Sequence, residues 1–253
     1  MKIADLKITL LIMTIVMISC GRFNPKDPQT IYAEIDKSAA PNILTDLEKK
    51  KGWQLLFNGT SPDGWHGYNM KIFPSCWAIE DGSFTMNSQG ASEDQDIITD
   101  KKYRDFAFFI EYKMTKAANS GIIFQVAEDT IYKYPYETGP EFQVIDHENW
   151  PDPLEDWQIN GANYAMYPPM RKPFKPVGEW NQLFLVVNGN EVTQILNGEV
   201  VVKYEKNSEE WLKLRNAGKW ANFPDWGKFD DGHISLQNHG TKVWYRSIKL
   251  KEF

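Results

Sequence analysis

The chain has 253 residues and a formal net charge of -6, with 28 basic and 34 acidic residues. No basic stripe runs through it, which argues against a nucleic-acid partner. Of its two cysteines, Cys20 sits in a leader pattern and Cys76 stands alone after it, so the fold must be held by its core rather than by a disulfide.

The N-terminus carries Lys2 and Lys7, then the apolar run Ile8 to Ile18, then Ser19-Cys20-Gly21. A charged start, a short apolar stretch and a small residue before a cysteine describe an export signal. The run is too short to span a bilayer, which takes about 20 residues. Met17-Ile18-Ser19-Cys20 resembles a bacterial lipobox, in which Cys20 is lipidated and becomes the mature N-terminus; an ordinary signal peptide ending near a cysteine is the alternative. The expectation is a signal over 1–20 and a protein held in the periplasm or at the outer membrane of a Gram-negative bacterium. Its membrane contact would then be the lipid on Cys20 alone.

Residues 21–51 read as a tether and lead-in: the stretch is polar, holds Pro25 and Pro28, and offers one helical turn in "TDLEKKK". From Trp53 the pattern becomes β, and 52–253 reads as one domain. Short apolar runs end in Asn58-Gly59 and Asp81-Gly82. Cys76 opens one of these runs beside Trp77, the setting of a buried structural thiol rather than a nucleophile. Longer strands follow over Asp105 to Met114, Gly121 to Glu128 and Glu141 to Asp146. Asn188-Gly189 and Asn197-Gly198 divide three β-branched runs into an antiparallel meander. The convincing helix is "SEEWLKLRNAG", with Ser208 to cap it, Glu209 and Glu210 at its positive end and Gly218 to stop it. Many short antiparallel strands and almost no helix predict an all-β sandwich. Two long loops, one before Glu141 and one after Asp146, are rich in Trp, Tyr and Pro, and we expect them to form ordered walls of a binding site.

Side chains alternate along a strand, so parity assigns faces. In "GPEFQVIDHE", Phe142 and Val144 go to the core, while Glu141, Gln143 and Ile145 share the other face. Asp146 lies at an odd step from Glu141 and caps the following turn, so the two carboxylates do not form the close pair of a retaining glycosidase. The same rule puts Ser235, Gln237 and His239 opposite Ile234 and Leu236, and puts Gly121, Ile123 and Gln125 opposite Ile122 and Phe124. Amides, one carboxylate and an imidazole on an apolar-backed sheet suit a sugar better than bulk water. The excess of aromatics, 14% of the chain with 10 Trp and 11 Tyr, points the same way. The histidines show no zinc-type spacing. No cofactor is called for, and a role for a divalent cation stays open.

"LFNGTSPDGWHGY", "NSGIIFQV", "GPEFQVIDHE", "GEWNQLFLVVNGNEVTQILNGEVV" and "GHISLQNHGTKVWYRSIKL" occur in that order. Together they resemble the 3-keto-disaccharide hydrolase family, a 3-keto-glucoside 1,2-lyase/hydratase domain, from about Trp53 to Phe253. The resemblance implies a concanavalin A-like jelly roll. It also implies an exported enzyme, a hydrolase or lyase, that cleaves 3-keto-glucosides or 3-keto-disaccharides after a sugar 3-dehydrogenase has made the ketone. Gln125 stands where the family commonly has an arginine. On this reading Glu141 is the base and His239 the acid or the donor to an enolate. Gln125, Gln143 and Gln237 orient hydroxyls; Trp157, Tyr164 and Trp180 stack or support loops; Asp146, His147 and Arg246 complete the candidate contacts. A non-catalytic, lectin-like module on the same sandwich is the competing function. A laminarinase-like endoglucanase is disfavoured, because no strand carries two carboxylates at even spacing.

Overall fold

The computed structural model describes residues 27–86 and 95–253. Cys20 and the export signal expected over 1–20 lie outside the described residues. Within them the chain is almost entirely β, as its alternation and turn dipeptides predict. The strands are β1 (Gln54–Leu55), β2 (Trp65–Gly67), β3 (Trp77–Glu80), β4 (Ser83–Met86), β5 (Ile97–Thr99), β6 (Phe106–Met114), β7 (Asn119–Val126), β8 (Glu141–Ile145), β9 (Asn181–Asn188), β10 (Glu191–Leu196), β11 (Glu199–Glu205), β12 (His233–Leu236) and β13 (Val243–Glu252).

They pair antiparallel into two sheets. The larger runs β11-β10-β9-β6-β13-β4-β3, with β1 also on β13; the smaller runs β2-β5-β12-β7-β8. Their inner faces make the main core and their strands show why. Phe106, Phe108, Ile110 and Tyr112 of β6 meet Ile122, Phe124, Phe142 and Val144 of β7 and β8 between the sheets. This is the all-β sandwich that the strand pattern predicts and the jelly roll that the family resemblance implies. The meander turns as expected, with Asn197 and Gly198 both at positive φ (49° and 90°), the conformation of a tight hairpin that Asn-Gly favours.

The alternate residues of β6 and β9 are also apolar, and they explain the fate of the lead-in. Ala107, Phe109, Phe184 and Val186 face outward from the larger sheet, where Ile31, Tyr32 and Ile35 cover them. The covering segment holds α1 (Pro28–Tyr32) and α2 (Asp46–Lys50), both too short to be stable alone. Thr45 and Glu48 cap α2 reciprocally, and the buried Glu48 carboxylate meets Lys249 Nζ at 2.7 Å. Asn42 ties the segment to the sheet through Ser247 N–H at 2.8 Å. Of the stretch expected as a tether, residues 27–51 are thus part of the folded body.

The third helix, α3 (Glu209–Ala217), forms as read: the Ser208 hydroxyl accepts from Trp211 N–H and Gly218 ends it. Its buried Trp211 opens a pile of indoles. Trp211 stacks on Trp226 at 5.6 Å, and Trp226 on Trp220 at 4.5 Å. That pile pins the long connection between β11 and β12 against the edge of the smaller sheet.

Candidate active site

The outer face of the smaller sheet is the polar one. Its floor comes from β7 and β8, where Gly121 pairs with Gln143 and Ile123 with Glu141. A pocket of about 340 Å³ opens above them, lined by Asn119, Glu141, Gln143 and Ile145, with Gln237 and His239 beyond the end of β12. Of the residues parity placed on this face, Glu141, Gln143, Gln237 and His239 come together here. The long loop after β8 supplies Trp150, Leu154, Gln158 and Tyr164, and the loop before it supplies Tyr136. Both aromatic loops are walls, as expected.

Glu141 is the only acidic residue lining this pocket among the described residues, and it is 4% exposed. Its carboxylate lies across Gly121: a methyl group added there would overlap the Glu141 side chain. Glycine in "NSG" is therefore a spatial requirement of the carboxylate above it. Burial raises the Glu141 carboxyl to about 7, and the positive charge of Lys219 opposes the rise. Beside it, Asn119 Oδ1 and Gln143 Oε1 are buried without a hydrogen-bond partner among the described residues. Unpaired buried acceptors cost free energy, so their presence at a pocket wall marks a place for donors from a ligand.

Lys219 was not singled out by its sequence. It follows the last turn of α3, next to Trp220, which the indole pile buries and whose Nε1–H donates to Tyr164 O at 3.2 Å. The Lys219 Nζ lies 4.9 Å from the ring centre of Tyr136, 4.7 Å from that of Tyr164 and 4.6 Å from that of Trp220. Rings on several sides favour an ammonium. Burial lowers the Lys219 amine from its ordinary value, and the Glu141 charge works against that. The signal for Lys219 was the Gly-Lys-Trp step after a helix; nothing local says that this loop returns to Glu141.

Six other candidates do not line this pocket. Gln125 sits at φ 54°, where β7 bulges against β12, and this breaks the parity that placed it beside Gly121. Its amide donates to Asp230 O at 2.8 Å and accepts from Lys206 Nζ at 3.3 Å, so it braces a loop. Arg246 and Trp180 belong to the outer face of the larger sheet. There the guanidinium lies 3.8 Å from the indole centre and donates to Glu111 at 2.9 Å. Asp146 caps the turn, accepting from Ala117 N–H at 2.7 Å and Asn149 Nδ2 at 3.1 Å. His147 packs edge-on against Phe174 at 4.4 Å, in a shallow hollow apart from Glu141, and burial lowers its imidazole. Trp157 supports the site indirectly, edge-on to Tyr164 at 5.6 Å. Cys76 is buried, and among the described residues no group of three or more His, Cys, Asp or Glu is arranged to hold a metal ion.

A second lobe of about 730 Å³ adjoins the pocket and shares Tyr136, Gln237 and His239 with it. The whole is a groove with a buried acid and a ring-flanked, solvent-exposed lysine at one end.

Known proteins resemble this chain along most of its length. A curated protein named 3-keto-disaccharide hydrolase, from Bacteroides thetaiotaomicron, is 31% identical over 247 residues, covering 87% of this chain and 85% of its own. The crystal structure of a putative glycosyl hydrolase from Parabacteroides distasonis is 39% identical and superposes with a TM-score of 0.80, over 85% of this chain and all of its own. Another glycosyl hydrolase structure from the same organism, 22% identical with a TM-score of 0.61, shares the fold over 79% of this chain and 99% of its own. Residues 52–251 match the family described as the 3-keto-alpha-glucoside-1,2-lyase-like domain, and the chain belongs to that family.

Proposed function

We propose that the protein cleaves the glycosidic bond of 3-keto-glucosides or 3-keto-disaccharides by base-initiated elimination. Family membership and the 31% identical 3-keto-disaccharide hydrolase support a carbohydrate-active hydrolase or lyase. One observation carries the mechanism: among the described residues the pocket holds a single buried carboxylate, with a cation rather than a second carboxylate near it. A hydrolase that works by paired carboxylates needs two on one surface. A ketone at C3 removes that need, because it acidifies the hydrogen on C2.

Glu141 takes the C2 proton. The C–H electron pair forms a C2–C3 double bond while the carbonyl pair moves onto oxygen. That enolate is stabilised by the ring-flanked ammonium of Lys219. It then collapses: the ketone reforms, a C1–C2 double bond appears, and the C1–O bond breaks with its electrons on the leaving oxygen. His239, at the join of the two lobes, supplies a proton to that oxygen, and water adds later across the double bond where hydrolysis is the outcome. Asn119, Gln143 and Gln237 hold the hydroxyls. Replacing Glu141 by Gln keeps shape and burial and removes the base. The expected result is a fall in kcat of about 10²–10⁴ on a 3-keto-glucoside, the range a general base supplies. Activity within about tenfold of the parent would sink the assignment. Binding of the 3-keto sugar by the parent with no turnover would favour the lectin-like module.

Export, lipidation at Cys20 and supply of the ketone by a sugar 3-dehydrogenase belong to the same proposal. They are supported by the leader pattern and by the chemistry of the substrate. Labelling cells with a fatty-acid analogue should mark the parent and not Cys20→Ser; equal labelling of both would rule out this anchor.

A further inference from the structure

The second lobe does not contain Glu141 or Lys219, yet it is the larger of the two. Its geometry relative to Glu141 limits what it can hold. C1 is bonded to C2, so the bond that breaks lies next to the proton that Glu141 removes. The residues lining only the smaller lobe include the apolar Ile145, Trp150 and Leu154, and its volume of about 340 Å³ is what one sugar ring needs. Toward the join stand Gln237 and His239, and past them the lining turns polar again with Gln95, Asp96 and Asn238.

A continuous wall links the two lobes. Tyr134 and Tyr136 are stacked with ring centres 5.1 Å apart and planes 14° from parallel. Lys133 Nζ lies 4.9 Å from the Tyr134 ring centre, and Lys219 lies the same distance from that of Tyr136. Tyr136 lines both lobes, whereas Tyr134 lines the larger one alone. Tyr134 is 37% exposed; Glu137 holds the backbone beneath it, accepting from the Lys133 and Tyr134 N–H groups at 3.0 and 3.1 Å, while the ring is ordered by its stack on Tyr136. The wall is thus preorganised, and amides, a carboxylate and tyrosine edges around a cavity of this size fit a polyhydroxylated ring.

We propose that the larger lobe binds the leaving half of the substrate, that this half is a second sugar ring, and that Tyr134 determines the preference for disaccharides over simple glycosides. The inference rests on the reading that Glu141 holds the 3-keto ring. It fixes the direction in which substrate lies: keto ring over Gly121, scissile oxygen at His239, second ring against Tyr134.

The test compares kcat/KM on a 3-keto-disaccharide with kcat/KM on methyl 3-keto-glucoside, for the parent, Tyr134→Ala and Tyr134→Phe. Tyr134→Ala should lower the disaccharide-to-methyl ratio by about tenfold, the size of one lost ring contact. Tyr134→Phe, which keeps the ring, should restore most of that ratio. A ratio unchanged within about twofold in Tyr134→Ala overturns the proposal, because a merely structural tyrosine lowers both substrates together. If the parent turns over neither substrate, the catalytic reading has failed, and the lobe is judged by binding. NMR titration with unoxidised disaccharide and monosaccharide should then show Tyr134→Ala weakening the disaccharide only. Equal weakening of both, or of neither, overturns it.

Discussion

At the scale of single residues, the site is a problem of placing one charge in a dry spot. Glu141 can lie across β7 because residue 121 is glycine, and this makes Gly121 a positioning residue. Gly121→Ala should lower kcat by at least about 10², since a displaced base loses most of its contribution. The added methyl costs on the order of 1–3 kcal/mol of stability as overpacking, so thermal unfolding separates a displaced base from an unfolded protein. A variant that folds and keeps parental kcat would show that the carboxylate does not need the bare backbone. The raised Glu141 carboxyl also sets a pH profile. The base works only when deprotonated, so kcat/KM should rise with pH through about 7. Lys219→Met removes the charge that opposes this rise, and the ascending limb should move to higher pH while kcat falls. A limb that stays in place or moves to lower pH would separate Lys219 from Glu141. The same shift acts on stability with a definite sign. A carboxyl raised in the folded state makes that state hold its proton where the unfolded chain has lost it. Stability therefore falls as pH climbs from the unfolded value of 4.5 through about 7. Glu141→Gln should stabilise the protein by on the order of 1–3 kcal/mol at pH 8 and by little at pH 4, read from denaturant midpoints at the two pH values.

At the scale of elements, what could be read in advance depended on how regular the element was. In β8 the period of two holds without interruption, so Glu141 and Gln143 were assigned to the pocket and Phe142 and Val144 to the core by alternation alone. In β7 the same rule fails at Gln125, because a bulge with positive φ inserts a step that composition does not announce. Parity is also silent about which sheet a strand joins. Arg246 and Trp180 sit on outward-facing positions, but of the other sheet. Lys219 was hidden for a third reason: its place is set by the stacking of Trp211, Trp226 and Trp220, contacts between residues that are distant along the chain or irregularly spaced. The indole pile predicts its own test. Trp226→Ala should cost about 3–5 kcal/mol as a buried aromatic truncation, and kcat should fall beyond what reduced folded fraction explains, because Lys219 loses its support. Normal kcat per folded molecule would show that Lys219 is held by something else.

At the scale of the whole molecule, the boundary of the family match and the boundary of the folded body do not coincide. The match begins at residue 52, whereas the described structure packs residues 27–51 onto the larger sheet. Physical bookkeeping decides which boundary the protein needs. Ile31, Tyr32 and Ile35 are at most 7% exposed, and burying each such side chain contributes about 1.5–3 kcal/mol. Without them Phe109, Phe184 and Val186 would face water as one apolar patch on the back of the sandwich. Lys249, 3% exposed at its side chain, would also lose the Glu48 carboxylate 2.7 Å away, though its ammonium would then be solvated. The sum rivals the ~5–15 kcal/mol that separates a typical folded domain from its unfolded chain. A chain beginning at Gly52 should therefore aggregate or melt far below one beginning at Asp27, although both retain the groove. Glu48→Ala in the longer chain leaves Lys249 buried and unpaired, and should by itself cost about 3–5 kcal/mol. Pairing Lys249→Met with Glu48→Leu should return most of it, since an apolar pair of similar size leaves no charge stranded. Equal melting temperatures for the two truncations would mean that residues 27–51 rest on the sheet without stabilising it.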